Sequence, residues 1–105
     1  MDNYQELAMV TKNNKLSLNE QILNAALGLA GEAGEVADMV KKWKFQGHLL
    51  DPKDIAKELG DICWYVALMS ESIGLSFDEI LEMNIEKLRK RYPEGFSAER
   101  SINRD

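Results

Sequence analysis

Ser17-Leu18-Asn19-Glu20, followed by an unbroken run to Gly47, is the stretch that decides the fold. A serine at a helix entrance accepts from the backbone N–H of the third helical residue. A glutamate at that third position reaches back to the serine N–H, and the two form a capping box. The run behind it carries Ala25, Ala26 and Ala33 and no proline. The pattern predicts one long helix to about Phe45, ended at Gly47. Gly28, Gly31 and Gly34 lie inside it, although an interior glycine costs about 1 kcal/mol against alanine. With Ala30 they form a smooth strip where another backbone could approach closely. The competing reading is a break at Gly28 or Gly31.

Working outward, Asn3 to Lys12 reads as a weaker first helix with Tyr4, Leu7 and Ala8 on its apolar side, closed by Asn13-Asn14-Lys15. Asp51-Pro52 opens the third, with an acidic N-cap and proline where its missing N–H costs nothing. Ile55, Leu59, Ile62, Val66, Met69 and Ile73 make one apolar stripe along it, and Gly74 stops it. Ser76-Phe77-Asp78-Glu79 is a second capping box, opening a helix to about Arg91 before Pro93. No segment alternates with period two. The expectation is a single all-α domain over residues 1–105, of four-helix bundle type.

The 105 residues are 45% hydrophobic and 30% charged, which excludes a disordered chain. A formal net charge of −5 argues against a partner that is a nucleic acid polymer. Cys63 is the only cysteine, so no disulfide can form within the chain. No apolar run approaches the roughly 20 residues that span a bilayer, and the start carries no apolar signal region. A cytoplasmic protein without membrane contact is expected.

The chemistry concentrates in two acidic quartets, Glu32-Ala33-Gly34-Glu35 and, after 22 intervening residues, Glu58-Leu59-Gly60-Asp61. Residues three apart on a helix share a face. Two such helices packed together would gather four carboxylates, which repel unless something cationic sits between them. An all-carboxylate cage suits a hard divalent cation, Mg²⁺ above all, and through it phosphate chemistry. The bland alternative is a set of solvated surface acids with Lys41, Lys42 and Lys57 as partners.

At these residues the chain resembles a known family. Gly31-Glu32-Ala33-Gly34-Glu35-Val36, Glu58-Leu59-Gly60-Asp61 and the tail Lys87-Leu88-Arg89-Lys90-Arg91-Tyr92-Pro93-Glu94-Gly95-Phe96 are similar to the signature of the MazG-like all-α nucleoside triphosphate pyrophosphohydrolases. The similarity runs from about Leu23 to Phe96. It implies cleavage between the α and β phosphates of a nucleoside triphosphate, giving the monophosphate and pyrophosphate, as nucleotide-pool house-cleaning. Glu32, Glu35, Glu58 and Asp61 would bind Mg²⁺, with Mn²⁺ as its substitute. Glu32 or Glu35 would take the proton from the attacking water. The resemblance also implies substrate contacts at Asn84, Lys87 and Arg91, and assembly as a homodimer or homotetramer that completes the bundle. A dUTP/dCTP-type or phosphoribosyl-ATP pyrophosphohydrolase of the same superfamily and a non-enzymatic acidic helical module are the rival readings.

Asp38 continues the acidic face of the second helix, and Tyr65 stands one turn beyond Asp61. Both are candidate substrate contacts. His48, the only histidine, reads as a solvated loop residue, and no Glu-x-x-His pair offers a di-iron site. Trp64 reads as helix packing and Cys63 as a buried apolar residue; Trp43 and Phe45 could line a base pocket. The tail from Arg100 to Arg104 is too short to classify but could fold over a neighbouring subunit. Apolar positions nearly encircle the second helix from Ile22 to Ala30, so it needs burial on more than one side. One chain of this length cannot supply that, and a homo-oligomer is expected.

Overall fold

Both capping boxes form as the sequence predicts. In the computed structural model, which describes residues 2–96 and 98–102 (side chains of residues 2 and 100 excepted), the Ser17 and Ser76 hydroxyls accept from the Glu20 and Glu79 backbone N–H groups. Each glutamate in turn accepts from its serine's N–H. They open α2 (Leu18–Gln46) and α4 (Phe77–Arg91). α1 (Asp2–Met9) ends earlier than Lys12, in a turn where Thr11 N–H donates to the Ala8 carbonyl. α3 (Pro52–Ser72) starts at the Asp51 cap, whose carboxylate accepts from Lys53 N–H. α5 (Ala98–Ile102) is a short helix that the sequence pattern does not announce; residues 103–105 of the tail lie outside the described residues. No strand occurs among the described residues.

α2 is unbroken across all three of its glycines and ends at Gly47 in the left-handed conformation, φ 72°. A glycine is needed there because a Cβ would crowd the following carbonyl. The smooth strip is only partly used. A Cβ on Gly28 would overlap the Tyr65 ring, whereas Gly31 and Gly34 have nothing within 4 Å of theirs. The close neighbour is thus an aromatic side chain, not a second backbone.

α2 and α3 form a long antiparallel hairpin, while α1 and α4 pack on α3 and on each other. The core consists of Ala8, Met9, Ala25, Ala67, Leu68 and Phe77, with Tyr4, Trp64, Tyr65, Val66 and Met69 packed around it. Gln5 ties three elements together. Its amide N–H₂ donates to the Ala67 and Leu75 carbonyls, and its oxygen accepts from Phe77 N–H.

Two expectations need correction here. Leu7 is exposed, so that of the expected apolar side of α1 only Tyr4 and Ala8 face the core. The stripe from Ile55 to Ile73 does not form the deepest part of the core; Leu59 and Ile73 are half exposed, and Ala67, Leu68 and Ser70 are the buried residues of α3. That helix turns a neighbouring face into the hairpin. Much apolar surface stays open, including Leu23 and Leu27 on α2 and Leu81, Met83, Ile85 and Leu88 on α4. The radius of gyration is 16.8 Å, against about 13 Å for a compact chain of this size.

Candidate metal centre

The α2–α3 seam follows helical spacing on both sides. Gln21, Ala25, Gly28 and Glu32 recur every three or four residues on α2, as Glu58, Asp61, Tyr65 and Leu68 do on α3. Such spacing keeps one stripe of each helix facing its neighbour. Near Ala25 and Leu68 the stripe is buried and apolar. Two turns further along α2 it becomes acidic. Glu32, Glu58 and Asp61 bring one carboxylate oxygen each to within 4.8 Å of one another.

Glu35, the fourth acid of the pattern, stands outside this group and is exposed. Three residues advance a helix by about 300°. With Glu32 in the seam, Glu35 is turned roughly 60° away, to its rim.

Electrostatics mark the trio. The Glu58 carboxyl is held above its ordinary value, first by the carboxylate of Glu32 beside it, then by burial and by the charges of Glu32 and Asp61. Its Oε2 is buried and has no hydrogen-bond partner. A buried carboxylate oxygen without a donor is costly, because it has lost water and gained nothing in return. A proton shared with Glu32 relieves part of that cost, and a cation relieves it more fully. Three hard oxygen ligands of one charge sign suit a hard divalent metal, not a soft one; their present separation is within the span of Ca²⁺ and needs a small contraction for Mg²⁺.

The remaining candidates are distributed around this centre. Asp38 pairs with Lys42 at 2.8 Å, one turn along the exposed side of α2. This bond draws the Asp38 carboxyl below and raises Lys42 above their ordinary values, with Glu35 adding to the effect on Lys42. Here the surface ion pairing weighed from sequence is realised. Tyr65 is half-buried, its ring against Gly28 and edge-on to Trp64 with centroids 5.1 Å apart. Asn84 and Lys87 are exposed on α4, and Arg91 is half-buried at its end. Among the described residues no hydrogen bond or ion pair joins these three to the acids. Tyr92 and Phe96 stack with centroids 5.5 Å apart across a turn closed by Gly95 N–H donating to the Tyr92 carbonyl. That part of the tail motif therefore organises itself.

Cys63 is exposed, not buried: two residues beyond Asp61, it has turned about 200° round α3. His48 is exposed after the Gly47 cap, as expected. Trp64 does more than pack, since its indole N–H reaches Thr11 Oγ1 at 2.8 Å and the Ala8 carbonyl at 3.2 Å. A lone tryptophan in a helical pattern gives no sign of such a tie. The phenol of Tyr4, on the apolar side of α1 as the sequence reads, is held above its ordinary value first by burial, then by the charges of Cys63 and Asp61.

The sequence that carries these residues is similar to known proteins. The family described as the MazG nucleotide pyrophosphohydrolase domain matches residues 20–96, which include all four acids and the aromatic tail. Members of that family generally depend on a divalent metal. The chain is 32% identical over 80 residues to the Gene 37 protein of Mycobacterium phage L5, covering 72% of this chain and 70% of that one. It is 27% identical over 73 residues to the uncharacterized protein YvdC of Bacillus subtilis (strain 168), covering 61% and 69%. No solved structure matches it. No helix among the described residues is long and apolar enough to cross a membrane.

Proposed function

The chain belongs to the MazG nucleotide pyrophosphohydrolase family, and we propose that it acts as a single-domain, Mg²⁺-dependent enzyme that hydrolyses a nucleoside triphosphate between the α and β phosphates. The observation that carries this reading is the partnerless, buried Oε2 of Glu58 beside the carboxylates of Glu32 and Asp61. Those three residues hold the cation. When bound, it supplies charge neutralisation for the phosphoryl oxygens.

Glu35, at the rim and outside the trio, keeps its carboxylate for the proton of the attacking water. Lys87 and Arg91 offer cationic donors for phosphate, and Asn84 lies three residues before Lys87. Asp38 and Tyr65 flank the centre along α2 and α3. The catalytic set is therefore Glu32 and Glu35, with Glu32 shared with the metal.

The working unit is a homo-oligomer. Leu23, Leu27, Ala30 and Gly34 recur at helical spacing on the side of α2 away from the seam, all exposed. A second copy offers the same stripe, as a two-fold interface requires.

Product analysis tests the reading. A panel of nucleoside triphosphates incubated with Mg²⁺ should include a substrate that yields monophosphate and pyrophosphate in equal amounts. Diphosphate and inorganic phosphate would place the cleavage at the wrong bond. No release from any nucleotide would favour a non-catalytic acidic helical module.

A further inference from the structure

One turn from the acids, the seam carries its tightest contact. From Glu32 four residues back along α2 is Gly28, and from Asp61 four residues forward along α3 is Tyr65. In an antiparallel pair these steps run in the same direction, so Gly28 and Tyr65 form the next layer of the seam. A Cβ on Gly28 would overlap Cε1 and Cζ of that ring and lie 2.6 Å from Cδ1. Carbon atoms in normal contact are about 3.5–4.0 Å apart.

Trp64 limits the retreat of the ring on one side. Trp64 meets it edge-on, at an interplanar angle of 86°. Trp64 is itself tied to the end of α1 through Thr11 and the Ala8 carbonyl. A side chain on Gly28 would therefore push the two long helices apart at this level.

We propose that Gly28 and Tyr65 are positioning residues that set the helix separation at which Glu32, Glu58 and Asp61 can share one small cation. The inference rests on the metal-centre reading above. Oxygens bound to one Mg²⁺ at 2.0–2.1 Å lie at most about 4.2 Å apart, whereas the 2.3–2.6 Å bonds of Ca²⁺ allow about 5 Å. The three oxygens stand within 4.8 Å of each other. A contraction of about 0.6 Å admits Mg²⁺, whereas helices held apart at this level, by even a few tenths of an ångström, leave the oxygens within reach of Ca²⁺ alone. The Gly28–Tyr65 contact thus keeps the smaller ion within reach. It accounts for a glycine in the middle of a long helix at a position where alanine would be the better helix former.

Calorimetric titration of the intact, metal-free protein with Mg²⁺ alone and Ca²⁺ alone tests this. Gly28→Ala should weaken Mg²⁺ binding roughly ten- to hundredfold, the range found when the support of a metal ligand is removed. Ca²⁺ binding should fall much less, so the ratio of the two affinities shifts. General destabilisation would lower both together. The double variant Gly28→Ala/Tyr65→Ala removes the whole ring and with it the overlap, and should return the ratio towards wild type. It also answers the question if the single variant does not fold. A Gly28→Ala protein with an unchanged ratio, or a double variant whose ratio stays shifted, overturns the proposal while leaving the metal centre intact. A wild type that binds neither ion overturns the metal centre and the proposal with it.

Discussion

Glu32 on α2 and Glu58 on α3 face one another across a helical seam whose next layers are Gly28 with Tyr65 and Ala25 with Leu68, and the hydrogen-bonding carboxylate of Glu32, burial and the charges of Glu32 and Asp61 together raise the proton affinity of Glu58. A packing seam normally excludes paired like charges. Here they occupy its middle, which costs the metal-free fold stability.

Replacing Glu58 with glutamine removes that repulsion, keeps the shape and supplies an N–H₂ donor to Glu32. Glu58→Gln should melt at a higher temperature than wild type in the absence of metal. Circular dichroism melts in chelator check this. An unchanged or lower melting temperature would mean that the repulsion has no net energetic weight.

The raised Glu58 value has a definite consequence for pH. The folded state binds this proton more tightly than the unfolded state, whose reference value is 4.5. The stabilisation from Glu58 is therefore complete below 4.5 and lost as pH rises through the higher folded value. The melting-temperature advantage of metal-free Glu58→Gln over wild type should grow across that window. Subtracting the two pH profiles removes the opposite contributions of Glu20 and Asp38, whose values are lowered. A difference that does not vary with pH would contradict the assignment.

Mg²⁺ should reverse the order of stability. A ligand that binds only the folded state stabilises it by mass action, by about 2.7 kcal/mol at a concentration one hundred times Kd. The wild type should gain melting temperature with Mg²⁺ and Glu58→Gln much less. Ca²⁺ should stabilise the wild type but support little turnover, because its looser geometry positions water less strictly.

Exposed Leu23 and Leu27, 59% and 64% accessible, lie on the side of α2 away from α3. Burying two such leucines in a C₂ interface is worth several kcal/mol per dimer. Light scattering at micromolar concentration should give a mass of at least two chains, and Leu27→Lys should shift it towards 11.9 kDa. A wild type of 11.9 kDa ends the oligomer reading.

The helices were legible because their ends are set by local chemistry. Ser17, Asp51, Ser76 and Gly47 each satisfy or release backbone groups within a few residues, and each behaves as its type demands. Which face of a helix turns inward depends on its neighbours. That is why the apolar stripe of α3 lies beside, not on, its most buried face, and why Cys63 is exposed where its type suggests burial. The same limit applies at the site. The i, i+3 spacing put Glu32 and Glu35 on one side of α2, but only the approach of α3 decides that Glu32 enters the seam and Glu35 does not. Gly28 could be read as a place for close approach, yet Tyr65 as the approaching group is visible only in three dimensions.

The central claim is that Glu32, Glu58 and Asp61 form a divalent-metal centre for pyrophosphate release. It is tested most directly by measuring Mg²⁺-dependent pyrophosphate release in wild type, Glu32→Gln, Glu58→Gln and Asp61→Asn, with exposed Glu82→Gln on α4 as control. Turnover is expected in wild type and the control only, falling to background without Mg²⁺, with all three seam variants lowered at least a hundredfold, about 2.7 kcal/mol or more in transition-state stabilisation. Near-wild-type release from any seam variant, or full release in chelator, would contradict it.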